Sequence, residues 1–179
     1  MPNRTLATTC CIVGGGPAGI MLGYLLARKG IAVTVLEKHK DFFRDFRGDT
    51  VHPSTLEVIF ELGLLDEFLK VPHQRLGGIG GAFGDYHFRA ADFSRLPTHC
   101  KFVALMPQWD FLDFFAQKAR GFPNFSLLME HEAVGLRENH GQVDKSSPTR
   151  LMAHSRSAPD SSSDAMAVIP SFARQHTSK

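Results

Sequence analysis

The chain has 179 residues, 43% of them hydrophobic and 21% charged, with a formal net charge of +2 at pH 7. That is enough apolar material for one ordinary core, and so even a charge balance, with no run of basic residues, argues against a nucleic-acid-binding or membrane-surface protein. The three cysteines cannot all pair within one chain and lack metal-ligand spacing, which fits a reducing cytoplasm and no metal centre.

The apolar stretch after Arg4 could imitate a secretion signal. Gly14, Gly15, Gly16 and Pro17 break it in the middle, which also argues against a membrane span. Residues 8–13 end in a short apolar run, the mark of a buried parallel strand. The glycines follow at once, and Pro17 suits the first turn of a helix because its missing N–H would have had no partner there. Ile20, Leu22, Tyr24, Leu25 and Leu26 make that helix mostly buried, and Gly30 ends it after the basic pair Arg28-Lys29. A second apolar, β-branched run over 31–36 finishes at Glu37. Strand, glycine loop, helix and strand form a βαβ unit with a right-handed crossover.

Further along, Ser54 and Glu57 have capping-box spacing and predict a helix over 54–62 with Gly63 as its stop. Residues 76–88 are glycine-rich and alternating, with Gly84-Asp85 as a two-residue hairpin turn. Gly77, Gly78, Gly80 and Gly81 are not read as a phosphate cradle, because no helix start follows them. A strand is expected over 102–105. The helix after it has Trp109, Leu112, Phe115, Ala116 and Ala119 inward and Gly121 as its stop. Strands over 125–129 and 133–136 and a turn at Asn139-His140-Gly141 complete the pattern. Beyond Val143 the sequence is rich in Ser, Pro and Ala with no sustained period, and largely disordered chain is expected.

Gly14, Gly16 and Gly19 satisfy G-x-G-x-x-G. The first permits a tight turn, the second lets backbone approach a pyrophosphate, and the third lets helix lie close to sheet. Amides at the helix start then face the anion. Glu37 stands 18 positions after Gly19, near the interval expected of a ribose-binding acid. Its carboxylate would repel a 2′-phosphate, which disfavours NADP in this loop and leaves NAD and FAD both open.

"VGGGPAG", "VLEK", "FRGDTVHPSTLEVIFELGLLDEF" and "MPQWDFLDFF", in this order and at these intervals, resemble the N-terminal half of the FAD-dependent aromatic-ring monooxygenases, the para-hydroxybenzoate hydroxylase-like flavoproteins. The resemblance covers residues 8 to 143 and chooses FAD. It implies a Rossmann-like FAD/NAD(P)-binding α/β fold with a parallel sheet, incomplete here, and a partial antiparallel β insertion. It places the pyrophosphate on Gly14, Gly16, Pro17, Ala18 and Gly19, and the adenosine ribose on Glu37 with Lys38 beside it. Arg47 would reach the flavin phosphate or ribityl region, Gln108 would contact the cofactor, and the backbone of Val134 would touch adenine. Chemistry would reside in the flavin, with NAD(P)H as co-substrate and a small aromatic compound as substrate, and no catalytic protein nucleophile. A homo-oligomer is compatible with it.

After the strand near Val134, where the family carries an Asp-Gly motif and later a Gly-Asp motif, this sequence contains neither dipeptide. The expectation is therefore an FAD-binding domain over 1–143, with the start of a substrate-domain sheet at about 74–105, and a disordered or non-native tail over 144–179; truncation or a frame shift is favoured as its origin, against a natural short FAD-binding fragment. Such a chain would hold flavin weakly and be weakly active or inactive alone. The competing readings are another FAD-dependent oxidase or dehydrogenase, and a non-catalytic nucleotide- or partner-binding fragment.

Overall fold

The computed structural model describes residues 8–43 and 50–133, together with strands at 138–139, 142–143, 153–154 and 167–170. In chain order the elements begin β1 (Cys10–Val13), α1 (Pro17–Arg28), β2 (Val33–Leu36), β3 (Thr50–Val51), α2 (Pro53–Glu61), α3 (Leu65–Phe68), β4 (Gln74–Leu76), β5 (Gly78–Phe83) and β6 (Tyr86–Asp92). They continue with β7 (Val103–Leu105), α4 (Gln108–Arg120), β8 (Phe125–Leu128), β9 (Glu132–Ala133), β10 (Glu138–Asn139), β11 (Gln142–Val143), β12 (Ala153–His154) and β13 (Ala167–Pro170). The chain divides into two compact units, one of Met1–Phe42 with Phe115–Lys179 and the other of Phe43–Phe114.

The first unit is built on the expected βαβ crossover. Strands β1 and β2 pair in parallel, Cys10 opposite Val33 and Val13 opposite Leu36, and β8 adds in parallel to the far side of β2. Every residue of β2 is buried, as a parallel strand covered on both faces requires. The buried face of α1 is Gly19, Ile20, Gly23, Tyr24 and Ala27. Leu22, Leu25 and Leu26, expected inward, are half-buried instead. The smallest residues define the closest approach: a Cβ on Gly23 would lie 2.8 Å from Val35 Cγ2 and 3.0 Å from the Phe125 ring. Tyr24 meets Phe115 edge-on, with ring centroids 5.7 Å apart.

One side chain outside the expected pattern clasps this unit. Asn124 Nδ2 donates to the carbonyls of Ala27 (2.9 Å) and Ile31 (2.7 Å), binding the end of α1 to the approach to β2. Asn124→Ala removes both bonds at a partly buried position and is expected to cost about 2 kcal/mol of stability, read as a lower urea midpoint at unchanged m-value.

Within 144–179, expected to be a tail, two strands are described. β12 pairs antiparallel with β9, and β13 pairs antiparallel with β1, giving a sheet of order β13-β1-β2-β8. β10 and β11 pair antiparallel, Asn139 opposite Gln142, while His140 and Gly141 of the turn expected at Asn139-His140-Gly141 lie outside the described residues.

In the second unit β7 is flanked by β3 and β4, both antiparallel to it. Phe68 is fully buried, with Phe111 and Phe114 edge-on to it at 5.9 and 5.1 Å. Phe111 therefore takes the inward place expected of Trp109, which is half-buried against Phe43 at 5.0 Å. β5 and β6 form the expected hairpin, Phe83 opposite Tyr86 across Gly84-Asp85. Phe83 and Tyr86 are 86% and 71% exposed.

The capping box is not formed. Helix α2 begins at Pro53, its N-cap is His52, and no side chain caps it. Pro53 sets the first-turn geometry one residue earlier than expected, and Glu57 turns to His99, accepting from its backbone N–H at 2.9 Å and meeting Nδ1 at 2.8 Å. The His99 backbone N–H, followed by its ring, holds the Glu57 carboxyl below its ordinary 4.5. A folded pKa below the unfolded one contributes stability above the unfolded value, lost as pH falls through the folded value. The stability gap between the parent and Glu57→Gln is accordingly expected to be constant near neutrality and to close below pH 4.5. Denaturation midpoints at stepped pH check it; a gap that widens in acid would contradict it.

Candidate functional site: the mouth of the first crossover

The site is assembled where β1 gives way to α1. Gly14 has φ +102, a conformation costly for any side chain, and its N–H donates to the Leu36 carbonyl at 2.8 Å, fixing the turn to the end of β2. The chain then rises through Gly15 to Gly16, the N-cap of α1, and Pro17 opens the helix as expected. The first intrahelical bond runs from the Ile20 N–H to the Gly16 carbonyl at 2.9 Å, so the amides of Ala18 and Gly19 precede the hydrogen-bonded ladder. No side chain caps this helix start, and Pro17 and Ala18 are exposed. The positive end of the helix dipole faces outward there.

The three motif glycines differ in what surrounds them. A Cβ on Gly16 would meet nothing within 4 Å, which leaves open space for a ligand to approach the backbone. A Cβ on Gly19 would strike the Gly14 carbonyl oxygen, so this glycine is required by packing. Position 15, unassigned by the motif, is also restricted, though less severely: a Cβ there would lie 2.9 Å from Glu37 Cβ and 3.0 Å from Oε2.

Glu37, at the end of β2, is only 5% exposed. Its Oε2 accepts from the Gly15 N–H at 2.8 Å and its Oε1 from the His39 N–H at 3.0 Å. The backbone of Glu37 is held too: its N–H donates to the Leu128 carbonyl (2.9 Å), and its carbonyl accepts from the His131 N–H (2.8 Å). Glu130 supports this arrangement with φ +60 and an N–H donated to the His39 carbonyl at 2.9 Å. The carboxylate thus lies against the glycine loop in a fixed orientation. A carboxylate has roughly four acceptor positions, so it can also receive hydroxyls of a neighbouring sugar.

Of the residues expected at the site, Gly14, Gly16, Pro17, Ala18, Gly19, Glu37 and Lys38 come together in the first unit. Lys38 is half-buried beside Glu37. Gln108 opens α4, as expected, in the second unit. Arg47 and Val134 lie outside the described residues. The sequence reading missed the Gly15–Glu37 bond and the Glu130–His131 clasp. The middle glycine of the run, Gly15, was a signal for the first, whereas nothing in the sequence marks Glu130 as left-handed. The three cysteines are free, and burial, with Cys10 adjacent, pushes the Cys11 thiol up to about 11. Among the described residues, no group of side chains is arranged to hold a metal ion and no helix is long and apolar enough to cross a membrane.

A parallel sheet, a glycine turn opening at a helix start and a buried acid ending the second strand define an α/β fold of the FAD/NAD(P)-binding kind. The chain belongs to the FAD binding domain family, whose model matches residues 7–152. It is 29% identical to 6-methylpretetramide 4-monooxygenase of Streptomyces rimosus over 76% of this chain and 32% of that protein. It is 32% identical to rifampicin monooxygenase of Streptomyces venezuelae over 74% of this chain and 27% of that protein. Among solved structures, p-nitrophenol 4-monooxygenase PnpA from Pseudomonas putida shares the fold, with a TM-score of 0.65 and 23% identity over 76% of this chain and 35% of that one. The chain thus spans about a third of the length of the relatives it matches.

Proposed function

We propose that this chain binds FAD and forms the cofactor-binding portion of a flavin-dependent monooxygenase acting on small aromatic compounds, with NAD(P)H as electron donor. The observation that carries the reading is the pairing of an open cradle at Gly16 with the buried Glu37 carboxylate beside it, inside the matched family region. Bound FAD supplies the redox and oxygen-transfer chemistry. The protein's task is to hold and orient it.

The amides of Ala18 and Gly19 and the dipole of α1 attract the pyrophosphate, while Gly14 and Pro17 set the turn that presents them. Glu37 accepts from the ribose hydroxyls, with Lys38 beside it, and repels a 2′-phosphate. Arg47 neutralises the flavin phosphate or reaches the ribityl chain, Gln108 contacts the cofactor, and the Val134 backbone meets adenine. Residues 1–143 serve as the FAD-binding domain, and the segment at about 74–105 begins a substrate-domain sheet. Two relatives named as monooxygenases support the reaction class.

Titration with FAD is the direct test. Binding is expected to shift the flavin absorption bands and raise the melting temperature with concentration, since a ligand that binds only the native state stabilises it by mass action. No shift and no stabilisation with FAD, alongside clear stabilisation by NAD, would overturn the cofactor assignment. NADH or NADPH oxidation that depends on an added aromatic compound tests the reaction class.

A further inference from the structure

Strand β1 runs directly into the glycine loop, and both of its edges are occupied, one by β2 and the other by β13. The hydrogen bonds show which amides face which neighbour. Cys10 donates to the Ala32 carbonyl at 3.0 Å and Gly14 to the Leu36 carbonyl at 2.8 Å, so the even positions of β1 address β2. Strand alternation turns the N–H and carbonyl groups of Cys11 and Val13 to the opposite edge. In the register with β13 these two residues lie opposite Ile169 and Ala167. Val168 and Pro170 fall at the intervening positions, opposite Ile12 and Cys10, where an N–H would point away from β1. Proline has no N–H to give, and such a position is one it can occupy without breaking the ladder.

We infer that Ala167–Pro170 is a working edge strand of the cofactor-binding sheet. By gripping Val13, one residue before Gly14, it anchors the exit of β1 and so holds the glycine loop in its ligand-ready form. A strand paired on one side frays at its end, and a loop hanging from a frayed end must be ordered by the ligand at a cost in affinity. The affinity part of this inference rests on the FAD reading; the strand part does not.

Two single prolines in the full chain test it. In Ile169→Pro the lost N–H is one that points at β1, whereas in Val168→Pro it points away. Hydrogen exchange resolved by residue is expected to quicken at Cys11 and Val13 by about tenfold or more in Ile169→Pro. Gly15, whose N–H is held by Glu37, should quicken with them. Ile12, which faces β2, stays protected and shows that the variant remains folded. FAD affinity should fall about tenfold in the same variant, with Val168→Pro close to the parent in every readout. Equal effects of the two prolines on Cys11 and Val13 would overturn the strand. Loss of protection at Cys11 and Val13 with Gly15 and FAD affinity unchanged would overturn its anchoring of the loop. A parent chain that takes no FAD yet shows the exchange contrast would sink the FAD reading and leave the anchored loop standing.

Discussion

Alanine at position 19 is expected to destabilise the protein by about 3 kcal/mol and to abolish FAD binding, the cost being that of forcing an extra atom into a packed contact that cannot yield. The obstructing atom is the Gly14 carbonyl oxygen, part of the backbone, and Gly14 is itself fixed by its turn and by its bond to Leu36. Relief requires α1 to lift from β1, which opens the contacts of Ile20 and Tyr24 and re-aims the amides at the helix start. Gly16→Ala is the matched comparison. Its Cβ meets nothing within 4 Å, and at φ −68 the backbone accepts alanine, so stability should change by less than about 0.5 kcal/mol. FAD affinity should nevertheless fall, because the methyl group occupies the space the pyrophosphate needs. Urea denaturation and flavin titration of the two variants separate packing from binding. If Gly16→Ala is as unstable as Gly19→Ala, or binds FAD normally, the assignment of the open cradle is wrong.

The second large effect is expected at Glu37. Glu37→Ala leaves the Gly15 and His39 amides without an acceptor, Gly15 being itself buried, and unsatisfied donors of this kind cost about 1–3 kcal/mol each. A loss of about 3 kcal/mol is expected, with FAD affinity falling through both the disordered loop and the missing ribose acceptor. Glu37→Gln keeps the shape but offers an oxygen to only one of the two amides and sets its NH2 against the other. It should lose about half as much stability and still bind FAD more weakly than the parent. A Glu37→Ala variant as stable as the parent would show that the two bonds do not hold the loop.

Much of the site was readable because its demands are local. The order of strand, glycine turn, Pro17-initiated helix and Glu37-terminated strand is written in short stretches whose neighbours are adjacent in sequence, and steric limits act there directly. The same logic found the β5–β6 hairpin from its two-residue turn. It failed where a residue had a choice of partners. Ser54 and Glu57 have the spacing of a capping box, yet Glu57 binds His99, 42 positions away. Leu22, Leu25 and Leu26 look more suited to a core than Gly19 and Gly23, but the helix packs by its narrowest face because that face approaches the sheet most closely.

By itself, the sequence was sufficient to establish the crossover, the glycines that shape its mouth, the acid that answers them and the family in which these recur. Only the tertiary structure decided that Gly15 and Glu37 are bonded to each other, that Glu130 and His131 brace that acid from the turn after β8, and that Ala167–Pro170 returns to pair with β1. Each of these is a contact between segments far apart along the chain. Such contacts depend on which edges and amides the completed sheet leaves available, a property that no single stretch of sequence contains.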